Sequence, residues 1–367
     1  MGDLYIGLIS GTSMDGIDAA LVRFEESSLE VLQTHEHDYP VELRQKLAIA
    51  RFDPDIRSLA PVRSLHREVG KCFRDAANTL LGRASIDASA VTAIGSHGQT
   101  LRHEPNAKRP FSLQIGDPEI IANGTGIRTV ADFRKADIEL GGQGAPLTPA
   151  FHEWLFRKPG TTRVVLNIGG IANITVLAGD NGDTTGFDTG PGNTLLDAWV
   201  ATHRGEPFDQ DGAWAARGSV IDEFLSQLLA DPYFSAAAPK STGFEYFNLE
   251  WLESAGAKAF EPIDVQATLC QLTADSVATA IQTAAVDVED VLVCGGGAHN
   301  GELMRRLEAA VPGTRVTSTA SAGLDPDWVE AVAFAWLAMR TTNGLTGNLP
   351  SVTGAQRATV LGATFRA

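Results

Sequence analysis

The sequence predicts an α/β protein made of two similar domains with a ligand cleft between them. Three observations support this prediction: the length of 367 residues, a strand-turn-strand-strand order that occurs twice, and glycine clusters that follow apolar strands. At roughly 100–200 residues per domain, the length fits two domains. The composition, 44% hydrophobic and 20% charged, is ordinary for a globular protein and unlike that of a disordered chain.

The first occurrence of this order lies at the start of the chain. LYIGLIS predicts a strand, GTSMDG a tight turn, and IDAALVRF a second strand that returns antiparallel. LEVLQTHEHDY predicts a third strand. The elements expected next are helices over Val41–Ala50, Pro61–Leu81 and Pro118–Asn123, and strands in VTAIGSHG, SLQIG and TVADFR.

The same order recurs from residue 161. TTRVVLNIGGIANITVLAG predicts a strand, a glycine-rich turn and a returning strand, TTGFDTG a third strand, and the stretch from Pro191 a helix. Later segments predict helices over Val265–Ala285, Asn300–Ala310 and Pro326–Thr342, and strands in DVLVCGGGA and TRVTSTA. The recurrence is one of topology rather than of letters, and it indicates a duplicated α/β unit.

The domain boundaries are predicted from linker composition. The string GGQGAP is flexible and lies between the two occurrences, while the apolar tail Leu349–Arg366 is partly strand-like and is expected to return to the first half. We therefore expect an N-terminal domain over residues 1–130 plus 346–367, and a C-terminal domain over residues 131–345.

Charge and cysteine content limit the compartment and the partners. With 45 acidic against 29 basic side chains, the net charge is −16, which argues against a nucleic-acid or anionic-membrane binder. A local arginine cluster still permits an anionic small substrate. Three scattered cysteines form no CxxC pair, and the N-terminus MGDLYIGLIS lacks the basic residues of a signal peptide, so we expect a cytoplasmic protein. The most apolar helical stretch, Ala331–Met339, is too short to cross a bilayer.

The glycine clusters predict phosphate-binding loops. Glycine lets backbone amides approach phosphate closely, although any single cluster after a strand can be an ordinary turn. No P-loop motif, no G-x-G-x-x-G dinucleotide motif and no hydrolase elbow is present. The remaining candidate is the SGTSMDG hairpin, which offers amides and the hydroxyls of Ser10, Thr12 and Ser13.

Asp15, in the same hairpin, repels phosphate unless a cation lies between them, so it is a candidate Mg²⁺ ligand, directly or through water. In the second half, the turn NIGGIAN could bind the nucleotide from the opposite side. The string GGGAHN could pack against adenine or ribose, because its glycines have no side chains. The candidate nucleotide residues there are Asn167, Gly169, Gly170, Gly295, Gly296 and Gly297.

Several long strings together resemble one known family. YIGLISGTSMDGIDAALV, SHGQTLRH, VADFRKADIELGGQGAPLTP, LNIGGIANIT, FDTGPGNTLLD, CGGGAHN and TGAQRATVLGA are similar to anhydro-N-acetylmuramic acid kinases, over essentially the whole chain. That family belongs to the superfamily of sugar kinases, actin and heat-shock chaperone ATPases. The resemblance therefore implies two duplicated actin-like, ribonuclease-H-like domains with an ATP cleft between them.

The resemblance also implies an activity and site residues. Such an enzyme uses ATP, Mg²⁺ and water to convert 1,6-anhydro-N-acetylmuramic acid to N-acetylmuramic acid 6-phosphate in peptidoglycan recycling, and a homodimer is possible. Asp188, in FDTGPGN, matches the family's catalytic base. The segment that matches the family's ATP-binding segment comprises Gly11, Thr12, Ser13, Met14, Asp15, Gly16, Ile17 and Asp18.

Asp188 is also a candidate base on physical grounds. It is expected to end a strand, between Gly186 and Gly190, where a helix begins at Pro191. A helix N-terminus favours the ionised carboxylate, which a base requires. The alternative is that Asp188 only caps that helix.

The substrate requires donors for a lactyl carboxylate and an N-acetyl group. Arg134 is the best candidate, because a guanidinium fits a carboxylate in bidentate fashion, although a lone arginine is usually a surface residue. His97 and Gln99 could bind sugar hydroxyls, and His97 could equally be a core histidine. Glu330 could reach a hydroxyl or merely complement a helix dipole. Two rival functions stay open: a kinase of another sugar or polyol, and an ATP-driven binding module.

Overall fold

The computed structural model describes residues 2–11, 14–53, 59–105, 107–179, 182–238 and 240–367. The strands are β1 (Asp3–Ser10), β2 (Gly16–Phe24), β3 (Leu29–Asp38), β4 (Val91–Glu104), β5 (Phe111–Ile115), β6 (Thr129–Ala131), β7 (Thr162–Ile168), β8 (Ile171–Leu177), β9 (Thr185–Pro191), β10 (Val288–Cys294), β11 (Arg315–Ser318) and β12 (Ala363–Phe365). The helices are α1 (Val41–Phe52), α2 (Leu59–Ala84), α3 (Pro118–Thr125), α4 (Lys135–Glu139), α5 (Thr148–Phe156), α6 (Asn193–Arg204), α7 (Asp222–Leu229), α8 (Pro232–Ser235), α9 (Leu249–Ser254), α10 (Pro262–Ala284), α11 (Gly301–Ala310), α12 (Val329–Thr342) and α13 (Pro350–Thr353).

The strands form two sheets that share one topology. The first sheet has the order β12-β6-β4-β1-β2-β3, with β5 paired to β4, and the second has the order β11-β10-β7-β8-β9. In each, three consecutive strands form an antiparallel meander, and two later strands add in parallel beside its first strand. The predicted α/β class and its duplication are therefore confirmed. The tail adds a strand to the first sheet, because β12 pairs antiparallel with β6.

The chain divides into two compact units, residues 1–155 with 328–367 and residues 156–327. These boundaries differ from the expected ones, because residues 131–155 and 328–345 lie in the first unit. The reason is α12, a helix buried on nearly all sides that packs on β1 and β4. A Cβ on Gly7 would lie 1.8 Å from the carbonyl oxygen of Ala331, and one on Gly95 would lie 2.0 Å from that of Phe334.

Glycine therefore has two different uses in the first unit. Gly95 lies inside β4 rather than in a loop after it, where its missing side chain lets α12 approach the sheet. Gly98 also lies inside β4, with a φ of +74° that favours glycine.

Each unit has its own apolar core. In the first, side chains of β1 and β2 pack against α1, α2 and α3, and in the second, side chains of β7 and β8 pack against α6, α7, α10 and α11. In the described part of the chain, no helix is both long enough and apolar enough to cross a membrane.

Two local differences from the expected elements concern the site. The strand expected in TVADFR stops at Ala131, because Asp132 adopts a φ of +59°, and Arg134 begins the turn into α4. The helix expected to begin at Pro191 begins at Asn193, since Pro191 is the last residue of β9 and Gly192 precedes the helix.

Candidate functional site

In the first unit, the turn between β1 and β2 places the predicted ATP-binding segment at the end of the sheet. Thr12 and Ser13 lie outside the described residues, whereas Gly11 and residues 14–18 are described. Met14 adopts a φ of +57°. Its side chain and that of Ile17 belong to the apolar core, so these two residues can offer a ligand only backbone groups. Asp15 is exposed.

The remaining residues of the segment are Gly16 and Asp18, which open β2. A Cβ on Gly16 would lie 2.9 Å from the carbonyl oxygen of His37, so glycine is required where β3 passes. Asp18 is partly buried and pairs in register with Ile9 of β1. Asp15 is held from the other side, since its carbonyl accepts the backbone amide of Tyr39 at 2.9 Å. The end of the turn that leads into β2, Asp15 and Gly16, is thus held by main-chain contacts with Tyr39 and β3.

A buried side-chain network supports this turn from below. Gln99 is fully buried, and its amide nitrogen donates to the carbonyl oxygen of Gly11 at 3.0 Å. The hydroxyl of Ser10 lies 2.6 Å from both the Gln99 amide oxygen and the carbonyl oxygen of Gly16. Both ends of its amide are therefore used inside the protein, so Gln99 supports the turn, and its contact with a sugar stays a prediction.

Arg134 and His97 form the second cluster of the first unit. One guanidinium nitrogen of Arg134 lies 2.8 Å from Nε2 of His97, and another donates to the carbonyl oxygen of Gly144 at 2.7 Å. Nδ1 of His97 lies 2.9 Å from the carbonyl oxygen of Gly98, so it carries the ring proton and Nε2 accepts from Arg134. Burial, and then the Arg134 charge, lower the pKa of His97 well below its usual value. His97 is therefore neutral and orients the arginine.

Glu330 complements this arginine electrostatically. It lies in the first turn of α12, and its side chain reaches solvent. Desolvation by the surrounding protein raises its pKa, and the Arg134 charge opposes this shift. Burial lowers the pKa of Arg134 to about 10, which leaves it cationic at neutral pH. The structure thus brings together three predicted substrate residues: Arg134, His97 and Glu330.

Asp137 anchors this cluster and was missed at the sequence level. Its fully buried carboxylate accepts the backbone amide of Gly144 at 2.8 Å, the amide of Asn348 at 2.6 Å and the hydroxyl of Thr353 at 2.7 Å. Gly144 is therefore fixed at both its N–H, by Asp137, and its C=O, by Arg134. A charged residue in the string KADIEL is typical of a helix surface, so no local signal distinguishes it.

In the second unit, the turn between β7 and β8 is bound to the start of α6. The carbonyl oxygen of Gly169 accepts the amide of Asn193 at 2.8 Å, and that of Gly170 accepts the amides of Gly192 at 2.9 Å and Thr194 at 3.1 Å. The first amides of the helix, which have no partner within it, are thus satisfied by the glycine turn. The turn and the helix start form one rigid element.

The loop Gly295–Gly297 packs beside this turn, at the end of β10. A Cβ on Gly295 would lie 2.5 Å from the side-chain oxygen of Asn167, and one on Gly297 would lie 2.3 Å from Cγ2 of Ile168. Gly296 differs, since the nearest atom to its Cβ position is the amide nitrogen of Asn193 at 3.8 Å. Two of the three glycines are therefore required by packing on β7, and only Gly296 presents a bare, open backbone.

Asp188 lies inside β9, in register with Asn173 of β8, rather than at a strand end. It does not cap α6, because the residue before that helix is Gly192 and no side chain caps it. Burial raises its pKa to about 6, opposed by a hydrogen bond from the amide of Thr242 at 3.0 Å. The expectation that a helix N-terminus sets its charge is wrong, since burial dominates. The carboxylate is nevertheless ionised at neutral pH.

Two further contacts to Asp188 come from residues that sequence reasoning missed. Its backbone amide donates to the carbonyl oxygen of Lys240 at 3.1 Å, and its carbonyl oxygen accepts the hydroxyl of Tyr233 at 2.7 Å. Lys240 lies in the string KSTGFEYFN, which resembles an ordinary polar loop, and Tyr233 precedes it in the chain; only the fold places both residues beside Asp188.

The described side chains suit a Mg²⁺ ion that is bound together with nucleotide, not one held by the protein alone. Among the described residues, no group of three or more His, Cys, Asp or Glu side chains is placed to hold a metal ion. Mg²⁺ bound with nucleotide takes one or two carboxylates, with phosphate oxygens and water completing its shell. The exposed carboxylate of Asp15, beside the turn at Gly11, suits that kind of site.

Comparison with known proteins identifies the family of the chain. The model of the family described as anhydro-N-acetylmuramic acid kinase matches residues 3–367. Proteins of that name from Coxiella burnetii (strain Dugway 5J108-111) and Shewanella halifaxensis (strain HAW-EB4) are 51% and 52% identical, each over 98% of this chain and 97% of the relative. Among solved structures, the activator of the 2-hydroxyisocaproyl-CoA dehydratase from Clostridium difficile with bound ADPNP aligns with a TM-score of 0.47 at 11% identity, over 93% of this chain and 96% of that one. The resemblance of the sequence motifs is confirmed: the chain belongs to the anhydro-N-acetylmuramic acid kinase family.

Proposed function

We propose that the protein is an ATP-dependent kinase that opens 1,6-anhydro-N-acetylmuramic acid with water and phosphorylates O6. The products are N-acetylmuramic acid 6-phosphate and ADP, and the reaction belongs to peptidoglycan recycling. Family membership over the whole chain supports this substrate. The observation that carries the chemistry is Asp188: its main chain is held by two hydrogen bonds, its carboxylate accepts a third, and that carboxylate is ionised at neutral pH.

The substrate dictates what the site must do. In an ordinary sugar, a base removes a proton from a free hydroxyl, but in a 1,6-anhydro sugar O6 is part of an ether bridge to C1. Water must therefore attack C1 while the C1–O6 bond breaks and O6 takes the γ-phosphoryl group, with cleavage of the bond to the β-phosphate oxygen. One water oxygen ends on C1, and one water proton passes to the base.

Asp188 is suited to accept that proton. With a pKa raised to about 6, the carboxylate is a stronger base than an ordinary aspartate and is still mostly ionised at pH 7. Activity should fall as the pH drops through about 6, because protonated Asp188 cannot act as a base.

The nucleotide is assigned to the loops of both units. The turn Gly11–Asp18 would offer backbone amides to phosphate, and the Gly169–Gly170 turn and Gly296 would contact the remainder of ATP. Mg²⁺ bound near Asp15 would neutralise charge on the phosphate oxygens. The hydrogen bond from Gln99 to the carbonyl oxygen of Gly11 would help to hold the start of this turn in place when phosphate binds.

The sugar is assigned to the cluster of Arg134, His97 and Glu330. Arg134 would bind the lactyl carboxylate, because its guanidinium remains charged and is oriented by neutral His97. Glu330 would accept a hydrogen bond from a sugar hydroxyl or the N-acetyl amide. We further propose that the protein works in the cytoplasm as a homodimer.

Product analysis in ¹⁸O-labelled water tests the reaction. The label should appear at the C1 hydroxyl and be absent from the phosphate of the product. Unlabelled product incubated in the same water for the same time corrects for exchange at the anomeric centre. Attack of water at C1 would be contradicted if the C1 hydroxyl carried no label after that correction, or if the label appeared in the phosphate group of the product.

A panel of acceptors separates this reaction from the rival kinase. ADP release should be at least a hundredfold faster with the anhydro sugar than with N-acetylmuramic acid, glucose or glycerol. A preference for a sugar with a free hydroxyl would point to another kinase activity. ATP turnover that no acceptor changes would favour an ATP-driven binding module.

A further inference from the structure

Asp188 is bound at three atoms by residues of a single connection. The hydroxyl of Tyr233 donates to its carbonyl oxygen at 2.7 Å, the carbonyl of Lys240 accepts its amide at 3.1 Å, and the amide of Thr242 donates to its carboxylate at 3.0 Å. We call residues 231–238 and 240–247, between α7 and α9, the covering segment. The direction of the carboxylate thus depends on a part of the chain that lies 45 to 54 residues further on.

The covering segment is fixed around the ring of Tyr233. The ammonium group of Lys240 lies 4.7 Å from the centre of that ring and donates to the carbonyl oxygens of Tyr233 at 2.9 Å and Phe234 at 3.1 Å. Phe247, which is fully buried, meets the same ring edge-on at 5.3 Å. Asp231 accepts the amide of Tyr233 at 2.9 Å. Tyr233 is therefore the residue through which the segment's packing reaches Asp188.

We propose that Tyr233 is a positioning residue for the catalytic base: its hydroxyl fixes the main chain at Asp188, and its ring limits the access of water to the carboxylate. This inference rests on the proposed role of Asp188. Its physical basis is that a displacement of about 1 Å at a reacting group can cost on the order of 100-fold in rate. A hydrogen bond to the peptide carbonyl of the base controls such a displacement directly.

The groups around Asp188 make burial the main control of its protonation. The covering segment carries five titratable groups: Asp231, Tyr233, Lys240, Glu245 and Tyr246. Tyr233 donates to the main chain of Asp188, the ammonium of Lys240 is directed at backbone carbonyls, and the Tyr246 hydroxyl donates to Asp231. Burial raises the pKa of Tyr233 further above its usual value, so it is uncharged. In β8, the register partner of Asp188 is Asn173, which is neutral, and α10 contributes the hydroxyl of Ser276 beside Gly190. Opening the segment should therefore lower the pKa of Asp188 toward that of an exposed aspartate.

Three variants separate positioning from folding. Tyr233→Phe removes only the hydroxyl, and Tyr233→Ala also removes the ring. Tyr246→Phe is the matched control, because its hydroxyl lies on the same segment but donates to Asp231, 2.8 Å away, which keeps its other donors. For Tyr233→Phe we expect kcat to fall about tenfold with the KM values of both substrates within twofold of wild type. Tyr246→Phe should stay within twofold of wild type in kcat.

The pKa of Asp188 is measured without turnover. In protein labelled with ¹³C at aspartate carboxyls, the resonance absent from Asp188→Asn identifies the group, and its titration in wild type should have a midpoint near pH 6. In Tyr233→Ala the midpoint should fall by about one pH unit, and in Tyr246→Phe it should not move.

Two results would overturn the proposal: equal kcat values for Tyr233→Phe and Tyr246→Phe, or the same Asp188 midpoint in Tyr233→Ala as in wild type. Failure of the proposed function gives a different result, namely no ADP release by wild type with the anhydro sugar. In that case the titration still decides whether the segment controls the carboxylate.

Discussion

The two units repeat one strand order but hold their functional groups in different ways. In the first, Arg134 is fixed through Gly144 by a buried carboxylate, Asp137, whose other donors lie 211 and 216 residues away. In the second, Asp188 is held by one neighbouring connection, with two of its three bonds made to main-chain atoms of that connection. The duplication therefore supplied equivalent sheets, and the connections between strands gave each unit its own chemistry.

The difference fits the roles proposed for the two groups. A residue that binds an anionic substrate must stay charged and point in one direction, and a buried network in which all partners are satisfied achieves this. A base must instead lose solvent to gain basicity and still ionise. Asp188 combines both properties, since its carboxylate is largely desolvated and accepts one hydrogen bond, from the covering segment.

The largest effect on activity is expected at Asp188, the proposed base of the second unit. Asp188→Asn should lower kcat by about a thousandfold or more, because the amide cannot accept the proton of water. Nucleotide affinity, measured by calorimetry, should stay within twofold. Asn keeps an oxygen that can accept the Thr242 amide, so the fold should be preserved. Turnover near that of wild type would remove Asp188 as the base.

An intermediate effect, on stability and on the KM for the sugar, is expected in the hydrogen-bond network around Asp137. In Asp137→Asn, the new amide group must face either the Gly144 amide or the donors of Asn348 and Thr353, and a donor then meets a donor. The free energy of unfolding should fall by about 2–3 kcal/mol. The KM for the sugar should rise about tenfold, with a smaller change in kcat, because Arg134 loses its fixed direction.

Glu139→Gln, an exposed change on the same helix, is the control for Asp137→Asn and should alter neither quantity. A fall in kcat with an unchanged sugar KM in Asp137→Asn would mean that the network serves the transferred phosphate rather than the sugar.

The sequence predicted the parts of this comparison that depend on local patterns. Alternating apolar runs and turns gave the two meanders, and the choice of Asp188 as the candidate base followed from the resemblance of its motif to the family. The sequence could not place Gln99 under the turn or Asp137 under Arg134, because their partners are distant in the chain and hydrogen bonds leave no periodic signal. It also placed Asp188 at a helix start, since Pro191 favours a helical first turn but here ends β9.

The smallest effect is expected in the glycine loop of the second unit. Gly297→Ala would put a methyl 2.3 Å from Cγ2 of Ile168, so it should lower the free energy of unfolding by about 1–3 kcal/mol. Gly296→Ala has no atom nearer than 3.8 Å and should leave stability unchanged.

If the nucleoside lies against bare backbone, Gly296→Ala should nevertheless raise the KM for ATP about threefold while leaving the sugar KM as in wild type, because an added methyl displaces the ring from the loop. Urea unfolding and ATP saturation curves on both variants decide this. An unchanged ATP KM in Gly296→Ala would mean that all three glycines serve the packing of the loop on β7, and that the nucleoside binds elsewhere.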